Sequence, residues 1–120
     1  MQVEPERRIV HLVITGSLSR MDGLDYQRRM LAACDQLSRS RPWGILSDRR
    51  RATVQIPEVE AIMASVFARA TAAGRTHAAV LATNALAQLQ MKRLALAGGL
   101  VQKVFEDETP ARAWLLRELR

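Results

Sequence analysis

Apolar residues along this chain fall into short dense runs separated by longer stretches in which they recur every three or four positions. Arg8 to Thr15, Arg-Ile-Val-His-Leu-Val-Ile-Thr, is rich in β-branched side chains and too short for a helix, which predicts a strand. Val3 is placed to form a small edge strand beside it, since Pro5 suits a turn or an edge but not a central ladder. Gly16-Ser17-Leu18-Ser19 breaks the run, and helical spacing begins near Asp22, whose carboxylate suits the positive N-terminal end. Leu24, Met30, Leu31, Cys34 and Leu37 fall on one face of that helix, with Arg20, Arg28, Arg29 and Asp35 elsewhere.

Ser40-Arg41-Pro42 ends the helix, because proline disfavours helical geometry in the residue before it. Trp43-Gly44-Ile45-Leu46-Ser47 follows as a buried strand that delivers Asp48 and three consecutive arginines, Arg49 to Arg51, at its end; from Arg49 to Gln55 no period is visible. Pro57 with Glu58 and Glu60 marks the next helix start. Val59, Ile62, Met63, Val66, Phe67 and Ala70 give it the clearest amphipathic stripe of the chain, and Gly74 terminates it. Thr76 to Ala82 reads as a strand covered on both faces. Thr83-Asn84 caps a helix carrying Leu86, Leu89, Leu94 and Ala97, closed by Gly98-Gly99. Leu100 to Phe105 is the last strand, and Thr109-Pro110 is expected to cap a final helix that buries Ala111, Trp114, Leu115 and Leu119.

Four successive strand-helix units with short connections predict an α/β fold: a four- or five-stranded, mainly parallel or mixed sheet flanked by helices. A length of 120 residues fits one domain spanning 1–120, and an apolar fraction of 48% with 25% charged residues suits a folded globular chain. No stretch has the length and hydropathy of a membrane span, and the start, Met1 to Glu6, has neither a basic nor an apolar leader segment, so a cytoplasmic protein is expected. The single cysteine, Cys34, reads as a core residue. A net charge of +6 favours an acidic partner, but only Lys92 and Lys103 among the 18 basic residues are lysines, a bias that also fits genome composition. A nucleic-acid partner is not expected.

The Thr15-Gly16-Ser17-Leu18 turn, the Ile45-Leu46-Ser47-Asp48 strand end and the closing segment from Val104 through Thr109-Pro110-Ala111 to Trp114-Leu115 resemble the STAS-like (SpoIIAA-like, STAS/SEC14) domains, mostly uncharacterised bacterial proteins. The resemblance covers nearly the whole chain and rests on structural signatures. It implies a βα superhelix without an assigned activity. Related anti-sigma factor antagonists bind a partner protein and are switched by phosphorylation of a serine just after the strand-terminal Asp. Here Arg49 follows Asp48, and neither Ser47 nor Thr53 matches the motif, so no phosphorylation site is expected.

Ligands of open α/β sheets bind beyond the carboxyl ends of the strands, which makes Ser17, Asp48, Arg49, Arg50, Arg51, Thr53 and Asn84 the candidate ligand or partner rim, with Glu106-Asp107 beside it. Arginines near helix N-termini can hold a phosphate or carboxylate by forked hydrogen bonds. The competing reading is a solvated loop whose arginines pair with Asp48 and Glu58. His11 and His77 lie inside strands, no Gly-x-Ser-x-Gly elbow, P-loop or zinc spacing occurs, and neither catalysis nor a cofactor or metal is expected. Met91, off the apolar stripe of its helix, marks a second candidate surface for a protein partner or a homodimer. The leading expectation is a non-catalytic binding or regulatory domain; the alternative is a small anionic or lipid-like ligand, or a cryptic enzyme, at the Asp48 to Thr53 rim.

Overall fold

The computed structural model describes residues 1–120, Gly98 by its backbone only. Nine regular elements follow one another: β1 (Gln2–Glu4), β2 (Ile9–Gly16), α1 (Arg20–Leu37), β3 (Trp43–Ala52), α2 (Pro57–Ala72), β4 (Arg75–Leu81), α3 (Ala85–Gly98), β5 (Val101–Phe105) and α4 (Glu108–Glu118), with a 3-10 turn at Ser38–Ser40. The fold is α/β. Its five strands lie in sequence order, β2 to β5 parallel and β1 antiparallel on β2, so the sheet is mixed and Val3 does pair, opposite Val10.

Because every parallel crossover advances by one strand in the same sense, α1, α2 and α3 share one face of the sheet. Their core is built on Val10, Leu12, Trp43, Ile45, Val80 and the buried stripe of α2. On the other face α4 stands alone, burying Leu115 and Leu119 against Ile9, Leu46, Ala79 and Leu81. Gly44 is where α4 comes closest: a Cβ there would lie 2.7 Å from Leu115 Cδ1 and 3.0 Å from the His77 carbonyl oxygen.

Most element positions follow the sequence pattern, and the departures have local causes. Helix α1 starts at Arg20, because the Ser19 hydroxyl accepts from the Asp22 N–H and caps it two residues earlier than the charge of Asp22 suggests. Its buried face contains Gly23 and Tyr26, whereas Leu24 is exposed, since α1 packs on Val59 and Ile62 of α2 through Gly23. Helix α4 begins at Glu108 with Asp107 at the cap position, so Thr109 lies inside the helix and is not its cap. Strand β3 does not stop at Asp48: it continues through Arg51 to Ala52, paired with β2 as far as Gly16.

The largest correction concerns α3. Leu86 and Leu89, assigned to its buried stripe, are 65% and 56% exposed, whereas Met91, expected on a partner surface, is 3% exposed and packs in the core with Leu94. Gln90 explains the rotation. Its side chain accepts from the Gln55 N–H at 2.9 Å and donates to Glu60 at 2.7 Å, which turns the polar Gln90 and its neighbour Met91 inward and the leucines outward.

Candidate functional site

Strand geometry divides the predicted rim in two. Successive residues of a strand point to opposite faces, so extending β3 through Arg51 sends Asp48 and Arg50 to the α4 side and Ser47 and Arg49 beneath α2. Arg49 is 3% exposed; its Nε donates to Ser47 Oγ at 2.9 Å and its Nη1 lies 3.8 Å from Met63 Sδ. It is a buried cation, not a rim residue. On the other face the Arg50 backbone N–H, Nε and Nη2 all donate to the Asp48 carboxylate, at 3.1, 3.0 and 2.8 Å. This closed chelate holds the Asp48 carboxyl below the ordinary carboxylate range, chiefly through the side-chain hydrogen bonds from Arg50, and occupies both its oxygens.

Asp48, Arg50 and Arg51 therefore come together, with Val13, Ile14 and Thr15, around a polar cleft of about 550 Å³. The remaining candidates do not join them in its lining. Ser17 is exposed in the turn after β2. Thr53 is exposed, and its N–H donates to the Gly16 carbonyl. Asn84 spends its side-chain oxygen on the cap of α3, accepting from the Leu86 and Ala87 N–H groups at 2.9 and 3.0 Å.

The crevice at the strand ends on the helical side, where an α/β fold would hold a ligand, is filled by Gln55. This side chain is 3% exposed, accepts from the Leu18 N–H at 2.7 Å and donates to the Gly16 and Thr53 carbonyls at 3.0 and 3.1 Å. Together with Gln90 it ties the turns after β2 and β3 to α3. Sequence reasoning had no signal for it beyond an aperiodic segment.

The Thr76 hydroxyl lies 2.7 Å from His77 Nδ1, a contact between neighbouring residues of β4. His11 and His77 face α4, with Nε2 atoms 3.8 Å from Glu108 and Glu118, and His77 meets Trp114 edge-on at 5.7 Å between ring centroids. Among the described residues, no three His, Cys, Asp or Glu side chains converge as a metal site would require. Cys34 is buried, and burial pushes its thiol up, away from reactive thiolate character.

A surface absent from the expected set lies at the far edge of the sheet. Between α3 and β5 runs an apolar groove of about 520 Å³ lined by Leu89, Leu96, Leu100 and Val104, with Gln88, Lys92 and Gln102 among its polar members. Leu96 is 76% exposed, Leu89 56% and Val104 39%. Leu86, Leu89 and Leu96 share one helical face by their spacing, a signal present in the sequence that could not say whether that face was covered. Neither protein-family models nor curated proteins match the chain.

Proposed function

We propose that the chain is a non-catalytic, STAS-like binding domain of the cytoplasm that engages a protein partner through the α3–β5 edge. The observation that carries this reading is the groove between α3 and β5, where three large aliphatic side chains, Leu89, Leu96 and Val104, are exposed around one apolar cleft that Leu100 also lines. Contiguous exposed apolar surface of this kind costs solubility and marks interaction sites. The Asp48 carboxylate, held by Arg50, and the Gln55 side chain that fills the helical side of the strand ends are consistent with a binding role.

Affinity capture with two altered baits tests the reading. A partner held by the wild-type chain is lost by Leu89→Ser/Leu96→Ser and kept by Asp48→Asn; the reverse pattern would move binding to the strand-end cleft. Light scattering on the same proteins reports whether the partner is a second copy.

The cleft itself favours one second reading, a small anionic ligand, because Arg51 lies exposed at its wall without a carboxylate partner among the described residues. Titration with inorganic phosphate distinguishes it: saturable binding abolished by Arg51→Ala supports the ligand, and unsaturable, salt-sensitive binding removes it.

A further inference from the structure

Strand β5 is hydrogen-bonded to β4 alone, so its outer side presents unpaired backbone N–H and C=O groups beside the apolar groove. The opposite edge offers no equivalent: β1 has three residues, and its Glu4 carboxylate is held by Arg112 at 2.8 Å and Arg7 at 3.1 Å. Alternation along β5 puts Gln102 and Val104 on the groove side and Val101, Lys103 and Phe105 on the α4 side.

Three features of this edge specify what would fit it. The groove wall carries no acidic side chain, and its one charged member is Lys92. Across the strand Lys103 lies over the Phe105 ring, Nζ 5.3 Å from the centroid, and neither lysine has a carboxylate partner among the described residues. The Gln102 Oε1 is buried and has no hydrogen-bond partner among the described residues.

We infer that the β5 edge receives an extended segment of a partner protein as an added strand, its apolar side chains entering the groove under α3 and its alternate, acidic side chains meeting Lys103. The inference rests on the protein-binding reading above and names its chemistry. Backbone pairing supplies affinity in this mode and alternate side chains supply specificity. A second copy of the chain is the poorer occupant, because it would bring Lys92 and Lys103 against their own counterparts and add a further +6 of charge.

The test is an amide-resolved NMR titration with a short capped peptide alternating valine and glutamate. Two controls accompany it: a peptide alternating valine and lysine, and one with the valines and glutamates in separate blocks. The inference expects shifts at Val101 to Phe105 and along Leu89 to Leu96 with the alternating acidic peptide alone. Lys103→Glu, a surface change that leaves the core intact, is expected to weaken that peptide about tenfold or more and to admit the lysine peptide. Shifts centred on Arg50 and Arg51, equal binding of the block peptide, a dimer in light scattering that excludes the peptide, or no shift at β5 would each overturn it; in the last case Lys103 only guards the edge against aggregation. If these fail while Leu89→Ser/Leu96→Ser still loses its captured partner, strand addition is wrong and the docking surface stands; if that bait keeps its partner, both are wrong.

Discussion

The middle of the sheet and its β5 edge reverse the usual sorting of side chains. Under α1 and α2, where β3 and β4 lie, two arginines are almost wholly buried: Arg49 at 3% and Arg75 at 1% exposure. Arg75 donates Nη2 to the Phe67 carbonyl at 3.1 Å and lies 4.5 Å from the Phe67 ring centroid, but among the described residues its Nε and Nη1 have no partner and neither arginine meets a carboxylate. At the β5 edge, leucines and valines of similar size stand in water. The difference teaches that coverage is set by position in the layer order. Strands β2 to β4 lie under the packed α1 and α2, so whatever points there is buried, whereas β5 lies at the margin with α3 rolled toward α2 by the Gln55–Gln90 contacts.

Two of the positive charges are consequently internal, and several of the others are paired locally with carboxylates. Arg28 and Arg29 pair with Asp25, Arg93 with Glu60, Arg112 with Glu4 and Glu108, and Arg50 with Asp48. The +6 is spread over the surface and core, with no single basic face assembled from these side chains.

Truncation in the middle of the sheet should be costly. Trp43, fully buried and donating its indole N–H to the Ala73 carbonyl at 3.0 Å, is expected to lose about 3–5 kcal/mol as Trp43→Ala, measured by urea unfolding. A loss below 1 kcal/mol would mean that the α1/α2 layer is not the tightly packed region of the molecule. On the α4 side, Gly44→Ala tests the close approach of Leu115, with an expected loss of about 1–3 kcal/mol from overpacking; an unchanged midpoint would show that α4 yields freely.

The buried cation gives a change of opposite sign. Burial lowers the Arg75 pKa to about 10, so the charged form is disfavoured in the folded chain relative to the unfolded one. Arg75→Met, which fills similar space without charge, should raise stability by about 1 kcal/mol at neutral pH. The pH dependence follows from the sign of the shift. The unfolded chain holds this proton more tightly, so the cost is present at neutral pH and is relieved as pH rises through about 10 toward the ordinary guanidinium value. The advantage of Arg75→Met over wild type should therefore shrink between about pH 9 and pH 11; a difference constant with pH would place the charge in a solvated site. The smallest effect belongs to the edge: Leu96→Ser should change stability by no more than about 0.5 kcal/mol, since Leu96 is already in water, and a larger loss would mean that the groove is part of the core.

The pattern of the chain specified the strand-helix order, the small edge strand at Val3, the proline start of α2 and the buried face of α4, because each rests on local periodicity or capping chemistry. It could not fix the rotation of α3, which carries leucines on two faces and is oriented by the amides of Gln55 and Gln90, distant in sequence by 35 residues. For the same reason the run Arg49 to Arg51 read as a loop: three like charges mask the period-two alternation that separates Arg49 from Arg50 once β3 is extended. Asp48, Arg50 and Arg51 did assemble as a cleft, while Ser17, Thr53 and Asn84 were taken up in turns and a cap or left outside it. Arg75, adjacent to the predicted strand at Thr76, gave no sign of burial because a bulge between Trp43 and Gly44 shifts the register that aims it inward.

The most direct measurement is amide hydrogen exchange on the chain alone and on the chain loaded with its captured partner. The account predicts new protection in Val101 to Phe105 and along the outer face of α3, with Val13 to Thr15 and Asp48 to Arg51 unchanged. Protection confined to the Asp48 cleft, leaving β5 exchanging as in the free chain, would contradict it.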